Sequence, residues 1–365
     1  MQEKVRVLIV GTGAMAQKHV EGYRRIDGVE VVGGVDINQA QLDEFCQHNA
    51  IEQRFASVSD AIAWGGFETA SNATPDGVHH VTTLPLIAAG KHVLCEKPLA
   101  VNYQHALEMA EAAAAKGIVH TVNLTYREVP AVHKAAQMVA AGSIGEVRHF
   151  EASYLQSWLT QPAWGDWKTD SQWLWRLSTR HGSNGVVGDI GIHILDYVTY
   201  ILGSLPESMS TRLHTFNKAP GNVIGEYALD ANDSFVTHAL LPNGALGTFS
   251  ATRFASGHHN DLRLRVYGDK GGMEVLFEQG LSRLNVCLEE ALPDANWHSV
   301  ACDDVPSNYH RFISAVRQAD RLAGLSGHGQ GRLRRVEKSD AESGMADFFR
   351  GAELQQLLDQ MLLSE

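Results

Sequence analysis

Directly after an apolar run at residues 5–10 stands Gly11-Thr12-Gly13-Ala14-Met15-Ala16, a G-x-G-x-x-A sequence that opens a helical segment. The first glycine permits a tight turn, the second lets the backbone approach an anion with no Cβ in the way, and Ala16 is small enough for the helix to pack closely on the strand. A helix N-terminus facing the anion completes a cradle for a diphosphate. Twenty residues after Ala16, Asp36 ends a second apolar run, where a carboxylate accepts hydrogen bonds from both hydroxyls of an adenosine ribose. The same carboxylate repels a 2′-phosphate, and Ile37 and Asn38 supply no arginine to neutralise one. The pattern favours NAD and leaves NADP open.

Two further groups are candidates for moving a proton. The run at 92–95 ends in Glu96-Lys97-Pro98, which sets an ammonium at the carboxyl edge of a parallel sheet, where ligands bind in such folds. Later, residues 188–197 open a helix that runs to about residue 202 and stops at Gly203. Asp189, His193, Asp196 and Tyr200 share one face of it, with Ile190, Ile194, Val198 and Ile201 opposite, so a carboxylate and an imidazole lie side by side. His193 suits the oxidation of an alcohol, because a group titrating near neutrality takes the hydroxyl proton as hydride leaves the same carbon. Asp189 could equally cap the helix, and Asp196 is read as solvated. Zinc competes for His and Asp, but no third ligand stands at a recognisable spacing, and no metal is expected.

Five of the seven tryptophans crowd between residues 158 and 175: Trp158, Trp164, Trp167, Trp173 and Trp175, followed by Arg176 and His181. Aromatic faces suit the C–H faces of sugars, although most of these rings are expected to be packing anchors of an irregular loop. Arg176, His181 and His310 are added as polar contacts for hydroxyl groups, and Trp158 and Trp175 as the aromatic ones. No compact Lys/Arg cluster accompanies them, which argues against a phosphorylated sugar.

These residues need elements to hold them. Apolar runs at 5–10, 29–35, 69–73, 92–95 and 119–123 alternate with helical spacing at 15–26, 40–48, 78–89 and 105–116, and Gly90 and Gly117 stand where helix C-termini need a left-handed residue. The expectation is an α/β fold whose N-terminal domain, residues 1–124, is a Rossmann doubly wound parallel sheet. After a helix at 131–141 the texture changes to successive strands at 147–155, 207–216, 234–241, 245–251, 262–267 and 272–277, punctuated by hairpin turns at 242–244 and 268–271. Residues 125–365 are therefore expected to form an α+β domain with a large, mostly antiparallel open sheet, closed by helices near 309–322 and 351–363.

Composition agrees with a folded globular protein of 365 residues: 44% hydrophobic, 20% charged, no low-complexity tract and no internal repeat. A net charge of -12 gives no support to nucleic-acid binding, and the basic stretch Arg332-Leu333-Arg334-Arg335 reads as a solvated loop. Four scattered cysteines form no C-x-x-C pair, which fits reduced thiols in a cytoplasm. No apolar run approaches a membrane span and the N-terminus lacks a signal peptide's pattern, so no membrane association is expected.

Taken together, Gly11-Thr12-Gly13, Asp36, Ala73-Thr74-Pro75 with His79, Gly90-Lys91-His92-Val93 leading into Glu96-Lys97-Pro98, Ile144-Gly145-Glu146 and Asp189-x-x-x-His193 resemble the Gfo/Idh/MocA oxidoreductases over nearly the whole chain. The resemblance implies that Lys97, Asp189 and His193 form the catalytic group, with His193 the usual proton acceptor and Lys97 holding the reacting oxygen, although the base varies between members. It implies dinucleotide contacts from Thr12, Met15, Asp36, Ala73, Thr74, His79, Glu96 and Lys97, with Ala14, Ile37 and Pro75 beside them. Tyr126-Arg127 and Trp175-Arg176-Leu177 resemble substrate-site segments of its sugar and cyclitol dehydrogenases. It further implies a homodimer or homotetramer built through the second domain's sheet. Two departures stand out: Asp76 replaces the usual asparagine after Thr-Pro, and the run at 68–72 is more polar than a central strand should be.

The expected activity is reversible NAD-dependent oxidation of a secondary ring hydroxyl of a sugar, glycoside, anhydrosugar or inositol. The alternatives are an NAD-dependent glycosidase of the same fold, a non-catalytic sugar and NAD sensor, and an NADPH-dependent reductase, the last disfavoured by Asp36.

Overall fold

Six parallel strands build the first sheet of the computed structural model, which describes residues 4–162, 164–325 and 344–363. These are β1 (Val5–Val10), β2 (Val29–Val35), β3 (Gln53–Phe55), β4 (Thr69–Asn72), β5 (His92–Cys95) and β6 (His120–Val122), in the order β3-β2-β1-β4-β5-β6. The connecting helices are α1 (Ala14–Arg24), α2 (Gln39–His48), α3 (Val58–Trp64), α4 (His79–Ala88) and α5 (Tyr103–Lys116). Their ends follow the expected chemistry. Asn38, Ser57 and Asn102 accept backbone N–H groups at the starts of α2, α3 and α5, and Gly117 closes α5 with φ +71°. Gly90, just past α4, likewise takes φ +73°. The strand order reverses between β1 and β4, and the turns after these strands, with that after β5, define the ligand crevice of such a sheet.

The polar run at 68–72 is a central strand despite its composition. Thr69, Ser71 and Asn72 of β4 are fully buried, and each has a partner: Thr69 donates to the Arg6 carbonyl, Ser71 meets His19 and Tyr23, and Asn72 donates to Thr82 and Thr83.

The chain divides into two compact units, Met1–Leu124 with Pro306–Gln356, and Thr125–Val305 with Leu357–Glu365. The second domain expected from the sequence runs from 125 to 365, whereas the described residues 306–325 and 344–356 group with the first unit. The helix Asn308–Leu325 explains the difference: Phe312, Ile313 and Val316 are fully buried in one cluster with Val20 and Tyr23 of α1, and a large apolar side chain gains about 2 kcal/mol by such burial. The Arg332–Arg335 stretch lies outside the described residues.

The second unit holds α6 (Pro130–Ala140), β7 (Val147–Gln156), the single turn α7 (Ser171–Leu174), α8 (Ile192–Leu202), β8 (Ser208–His214), the small hairpin β9 (Val223–Ile224) and β10 (Tyr227–Ala228), β11 (Ser234–Leu240), β12 (Leu246–Thr252), β13 (Asn260–Gly268), β14 (Gly271–Glu278), β15 (Leu281–Leu288) and β16 (His298–Val300). Eight strands form an open sheet in the order β16-β15-β14-β13-β7-β12-β11-β8, antiparallel except for the parallel pair β12–β7. Alternation sets the faces: Phe235, Thr237 and Ala239 of β11 point inward, whereas Val236 and Leu240 point out. Strands β3, β15 and β16 and helix α3 are absent from the sequence reading because their residues are short or mixed in polarity. Among the described residues no helix is long and apolar enough to cross a membrane.

Candidate functional site

The first unit carries the glycine turn. Gly11 sits at φ +82°, and a Cβ there would lie 2.7 Å from the Thr74 backbone nitrogen, so only glycine lets the turns after β1 and β4 touch. Gly13 differs: the nearest atom to a Cβ there is Gln41 Nε2 at 3.9 Å, which leaves the space before it open. Helix α1 begins at this point with no side-chain cap and no acidic residue in its first turn, so no side chain of the helix itself offsets its positive end. Asp36 Oδ2 accepts from the Thr12 backbone nitrogen and from Thr12 Oγ1, both at 2.8 Å, and Oδ1 accepts from the Asn38 backbone nitrogen at 2.9 Å. Beside it Ile37 is 95% exposed, an apolar side chain offered to a flat ligand. Ala14, Met15 and Pro75 are exposed and Ala73 and Thr74 half-buried around this crevice. An uncapped helix end, an open glycine and a carboxylate beside an exposed apolar group fit a dinucleotide.

Beneath the crevice the arrangement departs from expectation. Glu96 is buried, with Oε1 2.9 Å from His19 Nε2 and accepting from Asn123 Nδ2 at 2.6 Å, and Oε2 accepting from the Lys97 backbone nitrogen at 3.2 Å. Burial works against its charge, but the hydrogen bonds from His19 and Asn123 win and hold the carboxyl down at about 2. His79 has no exposed surface: its ring nitrogens lie 2.8 Å from the Pro98 and Thr74 carbonyl oxygens. Neither side chain is surfaced for direct contact with a ligand, because each is spent on the turns that carry Thr74 and Lys97. The Lys97–Pro98 peptide is cis, and Lys97 itself is half-buried after β5. His19 and Asn123 escape the sequence reading; the one signal is that His19 and Tyr23 stand four apart on the inner face of α1.

The second unit carries the remaining candidates. A π-helical turn, Val187–Gly191, precedes α8, and every side chain of α8 is buried. Asp189 lies in that wider turn, which is common at functional sites. Its Oδ1 accepts from Arg176 Nη1 and its Oδ2 from Arg253 Nη2, both at 3.1 Å. Arg253 is fully buried and also donates to the carbonyls of Arg176 and Gly185. The two guanidiniums sit over aromatic rings, Arg176 over Trp175 at 4.7 Å and Arg253 over Trp158 at 5.0 Å.

His193, 8% exposed, meets the ring of Tyr126 edge-on at 5.1 Å. From there a chain of polar groups runs through β7 and β13: Tyr126 and Tyr154 hydroxyls lie 2.5 Å apart, Asn260 donates to Tyr126 and accepts from Tyr154, and Gln156 donates to Asn260, all at 2.8 Å. Burial pushes both tyrosine hydroxyls above their usual range. A cavity of about 440 Å³ opens beside this chain, lined by Thr125, Tyr126, Glu128, Asn260, Phe277 and Ser282 among others. Sequence gave no signal for Arg253, Tyr154, Gln156 or Asn260, which lie on or beside ordinary strands with no motif around them.

Several expected contacts take other roles. Arg127 and Asp196 form a buried ion pair, with Nε and Nη2 2.9 and 2.8 Å from the two carboxylate oxygens, so Asp196 is not solvated and Arg127 is not offered to a substrate. Tyr200 lies under the same guanidinium, so the Asp196 and Tyr200 end of the polar face of α8 is turned to Arg127 rather than to water. Trp158 and Trp167 are buried with Leu159, Leu174, Leu177 and Leu229, so Trp158 holds Arg253 instead of lining a pocket. Trp175 is half-buried. His181 packs on Tyr227 and meets Ser178, and His310 belongs to the first unit, with Nδ1 on Ser307. Among the described residues no group of three or more His, Cys, Asp or Glu side chains is arranged to hold a metal.

Residues 5–124 match the family model described as the oxidoreductase family with NAD-binding Rossmann fold, and residues 132–274 match that of the GFO/IDH/MocA C-terminal domain. The 1,5-anhydro-D-fructose reductase of Ensifer adhaerens is 30% identical over 88% of this chain and 88% of its own length. The chain belongs to the Gfo/Idh/MocA family of NAD-binding oxidoreductases. Levoglucosan dehydrogenase of Pseudarthrobacter phenanthrenivorans is 31% identical over 57% of this chain, a match that spans 55% of that protein. Among solved structures, an oxidoreductase domain protein from Kribbella flavida superposes with a TM-score of 0.78 at 27% identity, covering 99% of this chain and 97% of that one.

Proposed function

We propose that this family member catalyses reversible NAD-dependent oxidation of a secondary ring hydroxyl on an uncharged sugar, glycoside, anhydrosugar or inositol. The observation that carries the reading is the second unit's array: the His193 imidazole against Tyr126, whose hydroxyl opens a run of hydroxyl and amide groups suited to a polyol. The two relatives named for anhydrosugars put that class first among candidates.

NAD, when bound, supplies the hydride acceptor. Asp36 holds the adenosine ribose and discriminates against a 2′-phosphate, while Ile37 covers one face of the adenine. The α1 N-terminus and Gly13 take the diphosphate. His193 accepts the hydroxyl proton, Lys97 holds the reacting oxygen, and Asp189 fixes Arg176 as a donor to a neighbouring hydroxyl. The chain acts in a reducing cytoplasm, which suits its four free thiols, and a second copy covers the outer sheet face where Val236, Leu240 and Leu246 are exposed.

NADH formation is measured with NAD over a panel of anhydrosugars, free sugars, glycosides and inositols, and repeated with NADP and with His193→Ala. A substrate oxidised by the wild type and not by the variant supports the reading. Release of the aglycone from a chromogenic glycoside without net NADH would replace it with the glycosidase reading, and sugar and NAD binding without turnover would replace it with a sensor.

A further inference from the structure

His79 is the first residue of α4 and is wholly enclosed by protein. Its Nδ1 lies 2.8 Å from the Pro98 carbonyl oxygen and its Nε2 lies 2.8 Å from the Thr74 carbonyl oxygen. Neither carbonyl can donate, and a neutral imidazole has one N–H and one lone pair. One of the two contacts would then set a lone pair against a carbonyl oxygen at hydrogen-bond distance in a site closed to water. An imidazolium removes the conflict, since both of its nitrogens donate.

We propose that His79 is held as an imidazolium and acts as a positioning residue, a charged cross-link that fixes the turn carrying Thr74 to the turn carrying Lys97. The two turns follow β4 and β5, whereas the diphosphate turn and Asp36 follow β1 and β2. In a sheet of this order a dinucleotide spans the crevice, with adenosine towards β2 and nicotinamide over β4 and β5. The cross-link therefore serves the nicotinamide half and leaves the adenosine half alone. This assignment rests on the NAD-binding reading above, although the charge on His79 does not.

The surroundings support the charge. Titratable groups that act on His79 include the Asp76 carboxyl, in the turn ahead of α4, and the Cys95 thiol from β5. Burial opposes the cation, but Cys95, Asp76 and the Pro98 carbonyl outweigh it and raise the imidazole to about 10. Asp76 also gains a reason to stand after Thr74-Pro75, as a carboxylate close to a buried positive charge.

Two measurements test this. In the wild-type chain labelled with ¹⁵N-histidine, the His79 ring is identified as the signal missing from His79→Gln. Both ring nitrogens should show protonated shifts, with no titration step below about pH 9. A neutral tautomer at neutral pH, or a step near the ordinary histidine value, overturns the imidazolium whatever the variants do. NAD and ADP-ribose are then titrated calorimetrically against wild type, His79→Gln and His79→Ala. NAD affinity should fall about tenfold or more in the variants, with ADP-ribose affinity held within about twofold. Equal losses for both ligands, or no loss for either, overturn the positioning role. A wild type that binds neither ligand would instead overturn the NAD reading itself.

Discussion

Arg253 Nη2 donates to Asp189 Oδ2 at 3.1 Å from a position with no exposed surface, while Arg176 Nη1 takes the other carboxylate oxygen at the same distance. A carboxylate whose two oxygens are committed to guanidiniums is an anchor, and Asp189 orients donors more readily than it shuttles protons. Removing its charge takes from the buried Arg253 guanidinium its hydrogen-bonded carboxylate and leaves it Asp233 and two backbone carbonyls. Asp189→Asn is expected to destabilise the chain by about 3 kcal/mol, and Arg253→Leu by a similar amount, with the double variant well short of the sum. Urea unfolding of the four proteins of this cycle checks it. Additive losses would mean that the two residues do not depend on one another.

Arg127 and Asp196 make the same argument without a ligand in view. Both side chains are buried and paired through two hydrogen bonds, so breaking the pair from one side costs more than deleting it. Asp196→Ala is expected to cost about 3 to 5 kcal/mol, and Arg127→Leu combined with Asp196→Leu to recover most of that loss. Thermal and urea midpoints provide the measure. A double variant as unstable as Asp196→Ala would place the stabilisation in packing around the ions.

Glu96 gives the fold an acid-sensitive limb. Its carboxyl is held at about 2 in the folded chain, below the ordinary value, so its contribution is present above the unfolded-state value and is lost as pH falls through the folded one. The stability advantage of wild type over Glu96→Gln should be full above about pH 5, of the order of 3 kcal/mol in its pH-dependent part, and should shrink towards about pH 2. Unfolding free energies measured across that window decide it. A difference that stays constant with pH would show that the carboxylate's charge is not what the network stabilises.

The glycine turn, Asp36 and the alternation of strand and helix are legible in the sequence because each is a local rule: a backbone angle, a spacing, a period. Lys97 and His193 are legible because a strand end and a helix face can be read from their neighbours. Arg253, Tyr154 and Asn260 cannot be found this way, since their chemistry comes from strand pairing between β7, β12 and β13, with no local pattern to mark it. The return of residues 306–356 to the first unit is hidden for the same reason. An amphipathic helix announces an apolar face without naming the surface that receives it. Within the tryptophan cluster Trp167 is buried as the packing anchor most of these rings are expected to be, but Trp158, expected to line a site, is buried with it, because composition does not tell a platform from a core.

His193 and Lys97 separate by what their loss does. With no other group in its role, His193→Gln should lower kcat by about 10²- to 10⁴-fold. Substrate KM should change far less. Lys97→Ala should reduce turnover much more than NAD affinity, because its proposed contact is with the reacting oxygen. Steady-state kinetics with the substrate found in the panel, alongside NAD titration, are the measurement. Near-normal turnover in either variant would remove that residue from the catalytic group.

Gly11 and Gly13 stand two apart in one turn and should fail differently. A methyl group on Gly11 meets the Thr74 backbone at 2.7 Å in a left-handed conformation, so Gly11→Ala strains the fold itself. It is expected to lower stability by about 2 kcal/mol and to weaken NAD as a consequence. A methyl group on Gly13 meets nothing closer than 3.9 Å, and its backbone already has an ordinary φ of -73°. Gly13→Ala should therefore leave the unfolding midpoint nearly unchanged while lowering NAD affinity about tenfold or more, because the added methyl occupies the space the diphosphate needs. Measuring midpoint and NAD affinity for both variants separates the two roles. A Gly13→Ala chain that keeps full NAD affinity would show that the dinucleotide does not approach the backbone at this turn.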